Sequence, residues 1–434
     1  MNDYLFNQNI LIVLSALSAG LCMLFFRQAV RRMNLKKVLI GTGVATAAFA
    51  VVLFLFYRTY GFIDTPAGAY YIAFFSFVIL ALALLQLPKR RATTYGVAAF
   101  VSVLLLLGTS INDYYQYYPT VSSLWSGQIP NSTTPTKVAK PHGYIYASLE
   151  NNLYGNGFSN GKIISVHIPG TQSGLHARNA YVYFPPAYYD NAFALTKFPV
   201  LVLLTGTPGT PSSWLQGGHF LYTMNRFAST HEGITPIVVM ADHSGSFSND
   251  TECLNSSHGN ADTYISVDVP AFLHSHYRVA DSAANWGIGG FSEGGMCAAM
   301  LALEHPDTYQ HFVDIAGDPS PYLNNQSQTL PILFHNSKSD LRHHDINWLL
   351  QHFSSVPGFT AQFAIGGSDN GHRIAAMKYA YHLALQRKIT SSFITIPYQG
   401  HTFNAWFRSY SEYLPSISYY LGATTCGATC TQTS

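Results

Sequence analysis

The chain has 434 residues, of which 48% are hydrophobic and 10% charged, with a formal net charge of +2. Soluble proteins carry roughly 25% charged residues, so the deficit excludes a disordered tail, a coiled coil and a nucleic-acid binder, all of which need dense charge. The length allows about two or three domains. The small net charge is a cancellation: residues 1–112 hold nine basic and two acidic residues, and residues 113–434 hold fourteen and nineteen.

Four apolar stretches fill the first quarter, at 10–26, 38–57, 69–87 and 95–111, and none contains Lys, Arg, Asp, Glu or His. Each approaches the ~20 residues that cross a bilayer core as a helix. Four in series, with no A-x-A-like site after the first, do not read as a signal peptide. We therefore expect a four-helix transmembrane domain over 1–112, with the lipid bilayer as its partner. The first loop carries Arg27, Arg31, Arg32, Lys36 and Lys37, and the third Lys89, Arg90 and Arg91. The second has only Arg58, offset by Asp64. Positive loops stay cytoplasmic, which predicts a multi-pass cell-membrane protein whose large C-terminal part is extracytoplasmic. Tyr57, Tyr60, Tyr70, Tyr71, Tyr114, Tyr115, Tyr117 and Tyr118 fit an outer interfacial belt.

Residues 113–161 are rich in Tyr, Ser, Asn, Gly and Pro and read as a linker. From 162 to 422 strand-like and helix-like segments alternate. Short strands are predicted at 162–168 and 180–184. The apolar runs 199–204 (PVLVLL) and 237–240 (IVVM) have the form of strands buried on both faces. A helix over 262–277 must be kinked or split by Pro270. Strand 286–290 enters a Gly-rich turn, followed by a helix over 293–304. Further strands are expected at 312–316, 360–365 and 392–396, with helices over 373–386 and 403–420. Residues 322–353 read as a helical insertion. Alternating β and α implies a mostly parallel sheet with helices on both faces. Residues 423–434 form a C-terminal tail.

Five cysteines are present. Outside the apolar runs lie Cys253, Cys297, Cys426 and Cys430, an even number suited to a disulfide-permissive compartment. Cys426 and Cys430 are close enough for a local bridge, which leaves Cys253 to pair with Cys297. A C-x3-C metal pair is the rival, but no His or Cys lies nearby at zinc-site spacing.

Gly290-Phe291-Ser292-Glu293-Gly294 matches G-x-S-x-G, with a strand ahead and a helix behind. Side chains two before and two after the serine would clash in so tight a turn. The turn lifts Ser292 clear of the sheet at a helix N-terminus, where developing negative charge is favoured. A serine needs a base. Among eighteen histidines, His401 stands just after the last predicted strand. An acid must orient that imidazole; Asp369, after the preceding strand, is the first choice, with Asp340 and Asp318 as alternatives. Asp314 and Asp345 read as structural. The oxyanion needs two backbone donors, assigned to Glu293 and to Thr207 in the turn after the first buried strand. Trp214 and Trp406 flank the inferred site as pocket walls or as core.

With these residues placed, 162–422 resembles the esterase family of α/β-hydrolases, which includes the mycobacterial mycolyltransferases and S-formylglutathione hydrolases. The resemblance rests on LLTGTPG with Trp214 beyond it, GFSEGG, GGSD and GHTFNAW. The four-helix segment ahead of such a domain is similar to uncharacterised actinobacterial envelope esterases. The resemblance implies an α/β-hydrolase fold with Ser292 as nucleophile, His401 as base, Asp369 as acid, and the Thr207 and Glu293 backbones as oxyanion hole. Three departures stand out. The mycolyltransferases use a Glu acid and lack a multi-span anchor, and the loop at Thr205 lacks the His-Gly pair common in esterases. The expected activity is that of an esterase or acyltransferase on ester or thioester substrates, such as acyl lipids or glycans of the cell envelope. No metal or organic cofactor is implied. The alternatives are a catalytically silent envelope-binding module and an accessory domain of a transporter or sensor. The spans carry none of the ionisable residues that would mark a pathway.

Overall fold

Long apolar runs that contain no proline become helices in the first part of the chain: α1 (Gln8–Arg32), α2 (Leu35–Tyr60), α3 (Ala67–Leu84) and α4 (Arg90–Tyr115). The computed structural model describes residues 8–60, 67–86, 90–115, 160–216, 220–247, 249–323, 326–354 and 356–424. The chain divides into two units, Met1–Trp125 and Ser126–Ser434. Most of the expected linker 113–161 and nearly all of the tail, with Cys426 and Cys430, lie outside the described residues.

In the first unit α4 packs against α1 and α3, and α3 against α2. Two of the helices are long and apolar enough to cross a membrane, over Leu35–Leu55 and Thr93–Tyr115. The other two have shorter apolar cores, Ile12–Gln28 and Gly68–Leu84. At 1.5 Å per residue such a core reaches about 25 Å, less than the ~30 Å of bilayer hydrocarbon. The expectation of four membrane spans is corrected to two among the described residues. Large apolar side chains point outward along these helices, among them Leu39, Val44, Phe54, Val101 and Leu105. Buried between helices are Ser18, Ser76, Gln86 and Ser102; Ser18 donates to the Ser102 carbonyl across α1 and α4.

The second unit is built on an eight-stranded sheet. Its strands are β1 (Lys162–Val166), β2 (Ala180–Phe184), β3 (Val200–Leu204), β4 (Ile237–Met240), β7 (Trp286–Phe291), β8 (His311–Ile315), β9 (Thr360–Gly366) and β10 (Thr390–Ile396). The order is β1-β2-β4-β3-β7-β8-β9-β10. β1–β2 and β2–β4 are antiparallel and the remaining pairs parallel. β5 (Asn255–Ser256) and β6 (Gly259–Asn260) form a separate small hairpin. The continuous apolar runs are the inner strands: every residue of β3, β4 and β7 is buried, as strands covered on both faces require.

Pro270 does divide its helix. A π-helical turn over Tyr264–Asp268 leads into Val269–His276, with the proline in the first turn where its missing N–H is harmless. The insertion is helical, as Gln326–Phe334, Lys338–His343 and Ile346–His352. Long helices Gly371–Gln386 and Phe403–Tyr420 follow β9 and β10.

Candidate active site

The parallel strands deliver their loops to one edge of the sheet, where open α/β sheets place their ligands. Ser292 follows β7 directly and caps the buried helix Glu293–Glu304. Its backbone is held at φ 56°, ψ −127°, a region that costs a non-glycine residue about 1–3 kcal/mol. The surroundings fix that conformation. The Ser292 N–H donates to the Ile315 carbonyl at 2.8 Å, and the Gly295 N–H returns to the Ser292 carbonyl at 2.9 Å. A β-carbon on Gly290 would lie 2.2 Å from the Gly294 oxygen, and one on Gly294 2.5 Å from the Thr205 oxygen. Neither position admits a side chain, which is the steric content of the motif.

His401 reaches Ser292 from the loop after β10, with Nε2 2.9 Å from Oγ. Its Nδ1 lies 3.0 Å from Asp369 Oδ2. The loops that carry His401 and Asp369 are stitched together: Gly367 N–H donates to the Ile396 carbonyl and Ser368 N–H to the Gln399 carbonyl, each at 2.8 Å. A β-carbon on Gly366 would meet the Gln399 oxygen at 2.3 Å, so this crossing also depends on a glycine. Thr402 caps the following helix by accepting from the Ala405 N–H. The three side chains singled out from the sequence thus lie in one hydrogen-bonded row.

Arg373 was missed. It stands four residues after Asp369 in the first turn of Gly371–Gln386, and that spacing of acid and arginine was the available signal. Its Nη1 donates to Asp369 Oδ1 at 2.9 Å and approaches His401 Nδ1 at 3.3 Å. Its Nε donates to Asp318 Oδ1 at 3.0 Å. Burial alone would raise the Asp369 carboxyl. The hydrogen bond and charge of His401, the charge of Arg373 and the Asn370 N–H outweigh it and hold the group below its ordinary value.

The other acid candidates are elsewhere. Asp318 pairs with Arg373. Asp340 is an exposed residue of Lys338–His343, and the segment before it is the helix Gln326–Phe334 rather than a strand. Asp345 caps Ile346–His352 by accepting from the Asn347 and Trp348 N–H groups. Asp314 accepts from the Gly317 N–H at 2.9 Å, and burial pushes it up to about 7.

The turn after β3 folds over the serine. A β-carbon on Gly206 would stand 2.8 Å from Ser292 Cβ, and one on Gly209 2.2 Å from the Gly206 oxygen. Gly206 adjoins the nucleophile, with Thr207 next to it in the chain, and Glu293 follows Ser292 directly. Of the two readings left open for Trp214, pocket wall or core, the structure gives core. It is fully enclosed, donates Nε1–H to the Leu204 carbonyl, and packs on Phe291, Phe407 and Tyr410. Trp406 is at the site. It stacks on Phe291 with centroids 4.1 Å apart and turns its ring edge-on to His401 at 5.1 Å. Cys253 and Cys297 form a disulfide with Cα atoms 5.7 Å apart, joining the loop after β4 to the nucleophile helix.

The sheet order, the serine turn after a central strand and the histidine loop after the last define an α/β-hydrolase. Residues 173–414 match the Esterase family, described as "Putative esterase", and the chain belongs to that family. It is 34% identical over 337 residues to an uncharacterized protein of Corynebacterium glutamicum, covering 74% of this chain and 76% of that one. Among solved structures it is similar to a ferulic acid esterase (TM-score 0.50, 16% identity, 60% of this chain and 98% of that one). Another is an S-formylglutathione hydrolase from Agrobacterium tumefaciens (TM-score 0.49, 17% identity, 62% and 97%).

Proposed function

We propose that this esterase-family protein is a membrane-anchored serine esterase or acyltransferase whose catalytic domain acts outside the cytoplasmic membrane. The observation that carries the chemistry is the row Ser292 Oγ–His401 Nε2–His401 Nδ1–Asp369, with links of 2.9 and 3.0 Å. Ser292 Oγ attacks the carbonyl carbon of an ester or thioester while His401 Nε2 takes its proton. Asp369 keeps the Nδ1–H tautomer and stabilises the imidazolium. The N–H groups of Thr207 and Glu293 receive the oxyanion, and the dipole of Glu293–Glu304 favours the same charge. Collapse expels the alcohol or thiol, protonated by His401, and leaves an acyl-serine. Water or a sugar hydroxyl then resolves it by the reverse proton path. No step requires a cofactor.

The anchor reading is supported by the two helices long and apolar enough to span, α2 and α4, by the apolar side chains they expose, and by the basic residues of 27–37 and 89–91, which would face the cytoplasm. An amphiphilic acyl substrate of the envelope, lipid or glycan, fits a catalytic domain tethered to a bilayer. The purified full chain should be labelled by a fluorophosphonate, and Ser292→Ala should abolish the label. An unlabelled wild-type protein would leave a silent binding module. A reporter fused after Ser434 should be active only when exported; activity in the cytoplasm overturns the topology.

A further inference from the structure

Among the ionisable clusters that the acyl chemistry leaves unused, one touches the nucleophile turn through the Glu293 side chain. Carboxylate oxygens of Asp250, Glu252 and Glu293 all lie within 4.8 Å of one another. Glu252 is 5% exposed and the Glu293 side chain 7%. Both Glu293 oxygens and Asp250 Oδ1 have no hydrogen-bond partner among the described residues. A second feature points into the same space. The His243 side chain is 1% exposed, neither ring nitrogen has a hydrogen-bond partner among the described residues, and Nε2 comes to 3.4 Å from Glu293 Oε1.

Three carboxylates so close, with Glu252 and Glu293 buried and Asp250 half-buried, cannot all be ionised without a counter-charge. Burial and the charge of Glu293 push Asp250 up to about 8 against its hydrogen bonds with Glu252, and burial with the charges of Asp250 and Glu293 raises Glu252 well above the usual carboxylate range. For His243 burial opposes the charged form, but Glu293 and Asp242 outweigh it and raise the imidazole. Asp242 itself is engaged by Arg178 through Nε and Nη2 and is not free to join the cluster. The loop is fixed in place by the Cys253–Cys297 disulfide and by Thr251 Oγ1 donating to the His243 carbonyl.

We propose that Asp250, Glu252 and Glu293 bind one divalent cation, with His243 holding the Glu293 carboxylate from its other side. Three neighbouring carboxylates need a positive counter-charge, and a divalent cation supplies it where their oxygens converge. An all-oxygen donor set selects a hard cation such as Ca2+, Mn2+ or Mg2+. A histidine hydrogen-bonded to a ligating carboxylate is a usual way to orient such a ligand. The ion ties the loop after β4 to the first residue of the nucleophile helix, and its role is structural.

The test uses detergent-purified full chain, stripped with EDTA and given Ca2+, Mn2+ or Mg2+ separately. One of them should raise Tm by about 5–10 °C at a hundredfold excess over Kd. About one equivalent should remain by elemental analysis after desalting. Glu252→Gln, which keeps the side-chain size, should lose both effects, and Asp250→Asn serves if the first variant does not fold. No shift and no retained metal with any of the three ions overturns the proposal and leaves carboxyl groups that share protons. Tm shifts that survive in both variants overturn it as well, since the ion then binds elsewhere. Neither readout uses catalysis, so this outcome is separate from that of the proposed function.

Discussion

Asp369→Asn tests the acid assignment through hydrogen-bond polarity. Asp369 Oδ1 accepts from the Asn370 N–H at 2.7 Å and from Arg373 Nη1 at 2.9 Å, while Oδ2 faces His401 Nδ1 at 3.0 Å. An asparagine there has one acceptor and one donor end. Its NH2 cannot take the Oδ1 place, where it would meet two donors, so the amide oxygen goes there and the NH2 faces Nδ1. The imidazole must then accept at Nδ1 and carry its proton on Nε2. That proton points at Ser292 Oγ, 2.9 Å away, and the ring can no longer act as a base. A locked wrong tautomer costs about 10^4-fold in kcat, roughly 5 kcal/mol of barrier, with little change in fold. Asp318→Asn is the control: it loosens one side of Arg373 but leaves both ends of Asp369 satisfied, so it should cost less than about tenfold. The assay is kcat on a p-nitrophenyl ester, with fluorophosphonate labelling rates alongside. Asp369→Asn within tenfold of wild type would refute the reasoning.

Gly206→Ala should lower kcat by about 10^2–10^3, the magnitude of a lost oxyanion donor, because its β-carbon would press on Ser292 Cβ at 2.8 Å. A near-normal rate with a short ester would show that this turn plays no part in the reaction. Replacing both Cys253 and Cys297 by Ala reopens a loop with a sequence separation of 44 and should lower stability by about 4 kcal/mol, read by denaturant unfolding without reductant. Asp314→Asn addresses pH. The folded-state value of about 7 lies above the ordinary ~3.9, so the folded protein keeps a proton that the unfolded chain has lost. Wild-type stability therefore falls as pH rises from about 4 to 7 and levels off above, by up to ~1.4 kcal/mol per pH unit. The asparagine can still accept from Gly317 N–H and cannot ionise, so its Tm relative to wild type should rise across that window. An equal difference at pH 5 and pH 7.5 would refute this.

Much of the second unit is legible because its inner strands are buried on both faces and so become uninterrupted apolar words. VLVLL and IVVM leave no polar face to assign, and their order with the helices implies a parallel sheet. The site residues are legible because the chemistry needs particular types at strand ends, and Ser292, Asp369 and His401 each follow a strand. Trp214 and Trp406 show the limit. Both are aromatic and both follow a site loop, yet one is enclosed beneath the sheet edge and the other meets His401. Only packing separates them. Asp250, Glu252 and His243 were invisible for a different reason. They belong to a stretch of small and polar residues, ADHSGSFSNDTEC, that has the composition of an exposed loop. Composition reports polarity and not whether the chain folds back to bury it. In the first unit apolarity was plain, but α1 and α3 keep it for fewer residues than their helices are long.

The scarcity of charge in the second unit gives its buried ionisable groups more weight. Two clusters converge on adjacent residues of one turn. Asp369, Arg373 and Asp318 stand behind His401, which meets the Ser292 side chain; Asp250, Glu252 and His243 stand around the Glu293 side chain. Ser292 is held at a positive φ, a conformation its own preferences oppose, so the turn persists only because its neighbours over-determine it. The glycines supply space for that conformation and the disulfide anchors the helix at Cys297. Neither holds the Glu293 carboxylate, which lies buried beside two other acids and would repel them. Whatever neutralises that cluster therefore also steadies the main chain from which the Glu293 N–H would meet an oxyanion. Catalytic geometry and the carboxyl cluster are two constraints on the same peptide unit.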